Sequence, residues 1–177
     1  MTTTHVALLR AVNVGGLTVH MARLRELAAD LGWAEVATHL ASGNLLLATD
    51  DSATVVAHRL AEALRRQFGR AVPVLIRTPG ELADVLERVG PAFPRAAAGR
   101  VHVAFLDHDP GHADDRLGDF APDEHLHLGR ELALHYPDGQ ARTKLTTAVI
   151  ERRLGVVATV RGLRTIEGIL ARSGAPR

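Results

Sequence analysis

The chain has 177 residues, 46% hydrophobic and 23% charged, with a formal net charge of +1. That composition fills a core and excludes a disordered chain, and the balanced charge gives no electrostatic case for a nucleic-acid or membrane partner. Cysteine is absent, which excludes disulfides, thiolate catalysis and cysteine-held metal. With no leader-like N-terminus and no apolar run of about 18 residues, a cytoplasmic protein is expected.

Residues 5–10 carry a short continuous apolar run and read as a strand. Arg10-Ala11-Val12-Asn13-Val14-Gly15-Gly16 follows, a turn rich in glycine before a helix whose stripe is Met21, Leu24, Leu27, Ala28 and Leu31, with Gly32 as its stop. Residues 34–40 and 44–49 form two strands joined at Ser42-Gly43. Ser52 caps a second helix with Val55, Val56, Leu60, Ala63, Leu64 and Phe68 on its apolar side. Residues 72–77 are an edge strand because of Pro73, and Thr78-Pro79-Gly80-Glu81 is a capping box opening a helix that ends at Gly90.

After a Pro- and Ala-rich stretch at 91–99 the order begins again. Val101 to Leu106 is a strand, 111–118 a short helix, and 124–128 with 131–136 a hairpin turning at Gly129-Arg130. Thr143 to Leu154 is a helix capped by Thr143, 156–160 a strand and 165–172 a last helix. The fold expected is α+β: a tandem duplication of the βαββαβ ferredoxin-like unit, each copy with a trailing helix and an antiparallel sheet covered by helices on one face. Residues 1–90 form the first repeat, 91–100 a linker and 101–177 the second. Leu45-Leu46-Leu47 is apolar on both faces, so cover is expected on both, from the other repeat or a second subunit. A compact pair of repeats is expected, and a homodimer is compatible with the pattern.

This topology brings two polar clusters to sheet ends. In the first, the turn after the first strand meets the following hairpin, joining Arg10, Asn13, Gly15 and Gly16 with Ser42, Gly43 and Asn44. Glycine amides and an arginine suit a small anionic or phosphorylated ligand, whereas the same residues equally make self-bonded turns. No nucleotide-binding glycine signature is present. In the second cluster, Arg142, Thr143 and Lys144 open a helix beside Arg161 and Arg164 at the end of the last strand. Lys144 is the only lysine among 21 basic residues, and cations in a first helical turn oppose the helix dipole unless an anion is held there. A solvated basic edge is the plainer alternative.

Arg10-x-x-Asn13-x-Gly15-Gly16, then Met21-x-x-Leu24-Arg25, Ser42-Gly43-Asn44 and Lys144-Leu145, resembles the bacterial DUF1697 family of unknown function, over residue 5 to about residue 170. The resemblance implies a small cytoplasmic bacterial α/β protein without an established activity. The chain departs from the usual pattern at Ala11-Val12, at Ala41, in lacking a lysine after the double glycine, and at Arg161-Gly162-Leu163-Arg164-Thr165, as a divergent member would.

Six of the ten histidines, at 102, 108, 112, 125, 127 and 135, fall in the second repeat. Strand alternation places His102, His135 and His125 or His127 together on the helix-free face. Three imidazoles there could meet a transition metal, but no carboxylate completes a known motif, so no metal and no cofactor are expected. Three functions remain: binding of a small anion at the first glycine turn, an enzyme of unassigned reaction using Lys144 or a histidine, and an RNA-binding module. The last is disfavoured by 3% aromatic content.

Overall fold

The computed structural model describes residues 1–174; positions 175–177 of the expected second repeat lie outside the described residues. The first half runs β1 (Thr3–Leu9), α1 (Met21–Asp30), β2 (Ala34–His39), β3 (Asn44–Thr49), α2 (Ala53–Phe68), β4 (Val74–Arg77) and α3 (Pro79–Ala92). The second runs β5 (Val101–Leu106), α4 (Ala113–Leu117), β6 (Glu124–His127), β7 (Glu131–His135), α5 (Thr147–Leu154), β8 (Ala158–Gly162) and α6 (Leu163–Ser173).

Each half builds a four-stranded antiparallel sheet, in the orders β2-β3-β1-β4 and β6-β7-β5-β8. These are the same permutation, and each is the ferredoxin-like one. The chain divides into two compact units, Met1–Ala83 with the segment from Gly168 onward, and Asp84–Glu167. That division falls inside α3 and inside α6.

The duplication extends to single hydrogen bonds. In the first unit the Leu9 N–H donates to the Gly43 carbonyl at 2.9 Å and the Arg10 N–H to the Pro73 carbonyl at 3.0 Å. In the second, the Leu106 N–H donates to Arg130 at 2.8 Å and the Asp107 N–H to Val157 at 3.0 Å. Leu9 therefore corresponds to Leu106, and Arg10 to Asp107. Strand register agrees: Val6 opposes Arg77 as Val103 opposes Arg161, and His5 opposes Leu47 as His102 opposes Leu134.

In the first unit Ala7, Leu9, Leu45 and Leu47 face the helices and join Leu24, Leu27, Leu60 and Leu64 in one core. Burying each leucine is worth about 1.5–3 kcal/mol, so the amphipathic stripes of α1 and α2 are what dock them. Leu45, Leu46 and Leu47 are all buried, as their doubly apolar pattern requires. In the second unit the helix-side core is Ala104, Leu106, Leu132, Leu134 and Tyr136 with Leu117, Ile150 and Leu154.

The termini of several elements differ from expectation for identifiable reasons. Thr78 and Glu81 form the capping box, with Glu81 Oε2 accepting from the Thr78 N–H at 2.7 Å and Thr78 Oγ1 accepting from the Glu81 N–H at 3.2 Å. Gly90 does not stop α3, which carries Pro91 in its last turn and ends at Ala92. Thr146, not Thr143, caps α5: its side chain accepts from the Val149 N–H, and the helix begins at Thr147. β8 reaches Gly162 because pairing with β5 runs from Leu106 opposite Ala158 to His102 opposite Gly162. Arg161 thus lies within the strand and α6 follows it directly.

Candidate functional site

The chain leaves β1 at Leu9 and re-enters regular structure at α1, and Asn13 organises the loop between. Its side chain donates to the Val19 carbonyl at 3.0 Å and to the Ala41 carbonyl at 2.6 Å, and its Oδ1 accepts from the Val19 N–H at 2.8 Å. The loop is thereby tied to itself and to the β2–β3 turn. Asn44, fully buried, does the same inside that turn, donating to the His39 carbonyl at 2.7 Å and to Ser42 Oγ at 3.0 Å. Gly43 lies so close to the first loop that a Cβ there would sit 2.5 Å from Val12 Cγ2 and 2.9 Å from Leu9 Cβ. Arg10–Gly16 and Ser42–Asn44 therefore share one sheet end, joined through Asn13 and Gly43, while Ser42 and Asn44 brace the turn from within.

Backbone strain concentrates at this end. Ala11, Asn13 and Leu40 are non-glycine residues with φ of 54°, 58° and 59°, the left-handed region that costs roughly 1–2 kcal/mol for a residue with a Cβ, asparagine tolerating it best. Gly15, at φ 68°, has open space around its α-carbon. Strain of this kind persists only where surrounding contacts hold it, as the Asn13 hydrogen bonds do here.

Beside the loop opens a cleft of about 170 Å³ whose wall includes Arg10, Val14, Gly15, Leu17 and Arg70. Arg70 follows Gly69 at the end of α2 and was not among the residues expected from sequence. Its signal was topological. β4 runs antiparallel to β1 with Leu9 opposite Val74, so the segment entering β4 must meet the segment leaving β1. Two arginines and a glycine consequently line one polar depression.

The second expected cluster separates by burial. Arg161 is 7% exposed; its Nη1 donates to Thr159 Oγ1 at 2.7 Å and to the Val160 carbonyl at 3.0 Å, and burial lowers its pKa to about 10. Its counterpart Arg77 is 2% exposed and likewise donates to its preceding carbonyl, that of Ile76. The two buried arginines occupy the same register position in the two units. Lys144 is exposed, and Arg142 lies in a turn where its N–H donates to Gly139 at 3.0 Å. Thr143 donates to Asp123 Oδ2 at 2.7 Å and accepts from the Leu145 N–H, while the Tyr136 hydroxyl donates to the Leu145 carbonyl. Burial beside Asp123 pushes that hydroxyl's pKa up.

The histidines do not gather on the helix-free face. His102 opposes Leu134, and His125 and His127 oppose Leu134 and Leu132, so all three lie on the helix side, while His135 alone is on the other. Each strand histidine of the hairpin meets a carboxylate: His125 with Asp114 at 2.9 Å, His127 with Asp109 at 3.0 Å and His135 with Glu124 at 2.5 Å. Among the described residues no group of three His, Asp or Glu is arranged to hold a metal ion, and no helix is long and apolar enough to cross a membrane.

Two tandem ferredoxin-like units, the first with a strained, glycine-containing loop beside a basic cleft, define a small duplicated α+β protein. The chain belongs to the family described as protein of unknown function (DUF1697), whose model matches residues 1–131. Lys144 and Arg161 fall beyond that match; the first loop and the Ser-Gly-Asn turn fall within it. Among solved structures, the conserved bacterial protein SP0830 from Streptococcus pneumoniae is similar at a TM-score of 0.73 and 21% identity, over 97% of this chain and 99% of that one. At that identity the likeness shows the fold. No curated protein matches the chain.

Proposed function

We propose that this protein binds a small anion, a phosphate or carboxylate group, in the cleft between the β1–α1 loop and the α2–β4 turn. The observation that carries the reading is the joint presence of Arg10, Arg70 and Gly15 on one depression of about 170 Å³. Guanidinium groups bind such oxyanions through charge-assisted hydrogen bonds, and the backbone N–H groups of Gly15 and Gly16 can be approached with no Cβ in the way. In this reading Asn13, Ser42, Gly43 and Asn44 are framework: they hold the loop in its strained shape and leave the contacts to the arginines and the glycine backbone. This reading puts the anion at the first loop and makes no use of Arg142, Thr143, Lys144 and Arg161, the last of which is buried in β8.

The test is titration of the purified protein with inorganic phosphate, followed by amide chemical shifts. Perturbations should centre on residues 10–17 and 69–73. Arg70→Ala should weaken binding roughly tenfold, the low end for an exposed charged hydrogen-bond donor, with an unchanged melting temperature. Equal affinity in both proteins, or shifts centred on residues 142–164, would overturn the reading.

A further inference from the structure

We infer that the ligand is an organic anion with a hydroxyl-bearing body, of the sugar-phosphate class, its anionic group between Arg10 and Arg70 and its body along α2. This rests on the anion-site reading above and adds the size and chemistry of what binds. Pockets that enclose small molecules generally measure about 300–1,000 Å³, so a cleft of about 170 Å³ holds a charged group and little more. The segment Ala71-Val72-Pro73 that walls this cleft also walls a second depression, of about 480 Å³. That volume falls within the small-molecule range. The two depressions therefore adjoin along one three-residue segment.

The chemistry of the second wall fits hydroxyl groups. His58, Glu62 and Arg65 line it, and their spacing of four and three residues puts them in one row along a single face of α2. A carboxylate accepts hydrogen bonds, a guanidinium donates them, and an imidazole does both. A polyol can satisfy all three, since each hydroxyl donates and accepts. Ala61, Ala71, Val72 and Pro73 complete the wall with apolar surface, which suits the carbon face of a sugar ring.

The discriminating experiment compares inorganic phosphate, ribose and ribose 5-phosphate by calorimetry and by amide shifts on the full chain. Ribose 5-phosphate should bind at least roughly tenfold tighter than inorganic phosphate, because hydrogen bonds to charged groups add to the phosphate contact. It should perturb residues 58–65 as well as 10–17 and 69–73, whereas inorganic phosphate should leave 58–65 unmoved. Glu62→Ala should abolish the excess affinity for ribose 5-phosphate while keeping inorganic phosphate binding intact, which also certifies the fold of the variant. Equal affinities for the two phosphates, or an excess that survives Glu62→Ala, would overturn the inference and leave the anion site standing. Absence of any phosphate binding at residues 10–17 would overturn both.

Discussion

Gly43→Ala should be the most destabilising single-methyl substitution at the candidate site. Two penalties act together there. The backbone at Gly43 has φ of 80°, and placing a Cβ on such a conformation costs roughly 1 kcal/mol or more. The new methyl would also stand 2.5 Å from Val12 Cγ2 and 2.9 Å from Leu9 Cβ, and neither neighbour can withdraw easily: Val12 is 3% exposed and Leu9 is fully buried in the strand. Overpacking of this kind costs roughly 1–3 kcal/mol, for a total of roughly 2–4 kcal/mol. In a chain of this size 1 kcal/mol moves the melting temperature by about 2–4 °C, so the expected fall is roughly 5–15 °C. Gly15→Ala is the matched control. Its φ is 68°, but nothing lies within 4 Å of the added Cβ, so only the conformational penalty applies. Its expected fall is about 2–4 °C. The two variants are compared by circular-dichroism melts and urea midpoints under one buffer. Adding Val12→Ala to Gly43→Ala removes the closer of the two clashing groups, so the pair should be less destabilised than the sum of the singles by roughly 1 kcal/mol. Equal losses in Gly43→Ala and Gly15→Ala, or strict additivity with Val12→Ala, would refute the claim that the two loops are packed against each other through Gly43.

Asn13→Ala removes three side-chain hydrogen bonds and should cost roughly 2 kcal/mol, with amide exchange accelerating at Val19 and nearby loop residues well before global unfolding. Thr146→Ala should cost about 1 kcal/mol of stability through loss of the α5 cap, measured by denaturant midpoint; an unaffected midpoint would place the helix start elsewhere. Burial holds His102 below its ordinary value of 6.5, and burial together with Arg172 does the same for His39. The neutral forms are the ones the fold favours, so their contribution is fully present above pH 6.5 and is lost as pH falls from there through the folded values. His102→Gln should flatten the acid side of the stability–pH curve, and an imidazole titrating at or above 6.5 by nuclear magnetic resonance would contradict the burial argument.

The topology was legible because its signals are local and redundant. Ser52 and the Thr78–Glu81 box each name a helix start, Pro73 marks an edge strand, and the repeated order of elements leaves few ways to pair the strands. The approach of the first loop to the β2–β3 turn followed from strand direction alone. What was not legible had a physical cause in each case. Alternation does not identify the histidine faces because β5 is buried on both sides: Val103, Ala104, Phe105 and Leu106 are all fully buried, so there is no inside–outside contrast. The start of α5 is ambiguous in sequence because Thr143 and Thr146 are equally good caps in isolation; Leu145 enters the core and Thr143 bonds Asp123, which leaves the capping to Thr146. Arg70 belongs to no motif, and only the pairing of β4 with β1 brings it to Arg10.

The repeat also supplies an internal control on the anion reading. Arg10 and Asp107 occupy the same position, each donating its backbone N–H across the sheet end at 3.0 Å. Their side chains carry opposite charge, and the surroundings follow suit. Asp107 Oδ1 accepts from the Val157 N–H at 2.9 Å, a bond that a guanidinium cannot reproduce. Nearby, the Gly111 N–H, 2.8 Å from Asp109 Oδ1, holds that carboxyl below its usual range, with His127 adding to the effect. The second loop is thus closed by its own carboxylates, which take up donors that an external anion would need and repel it by charge. In the first loop Arg10 stands where Asp107 does and Val12 where Asp109 does, so neither carboxylate has a counterpart there. One scaffold therefore carries two charge patterns at equivalent sheet ends. On the proposed reading it is this side-chain chemistry, the arginines more than the glycines, that suits the first loop to an anion.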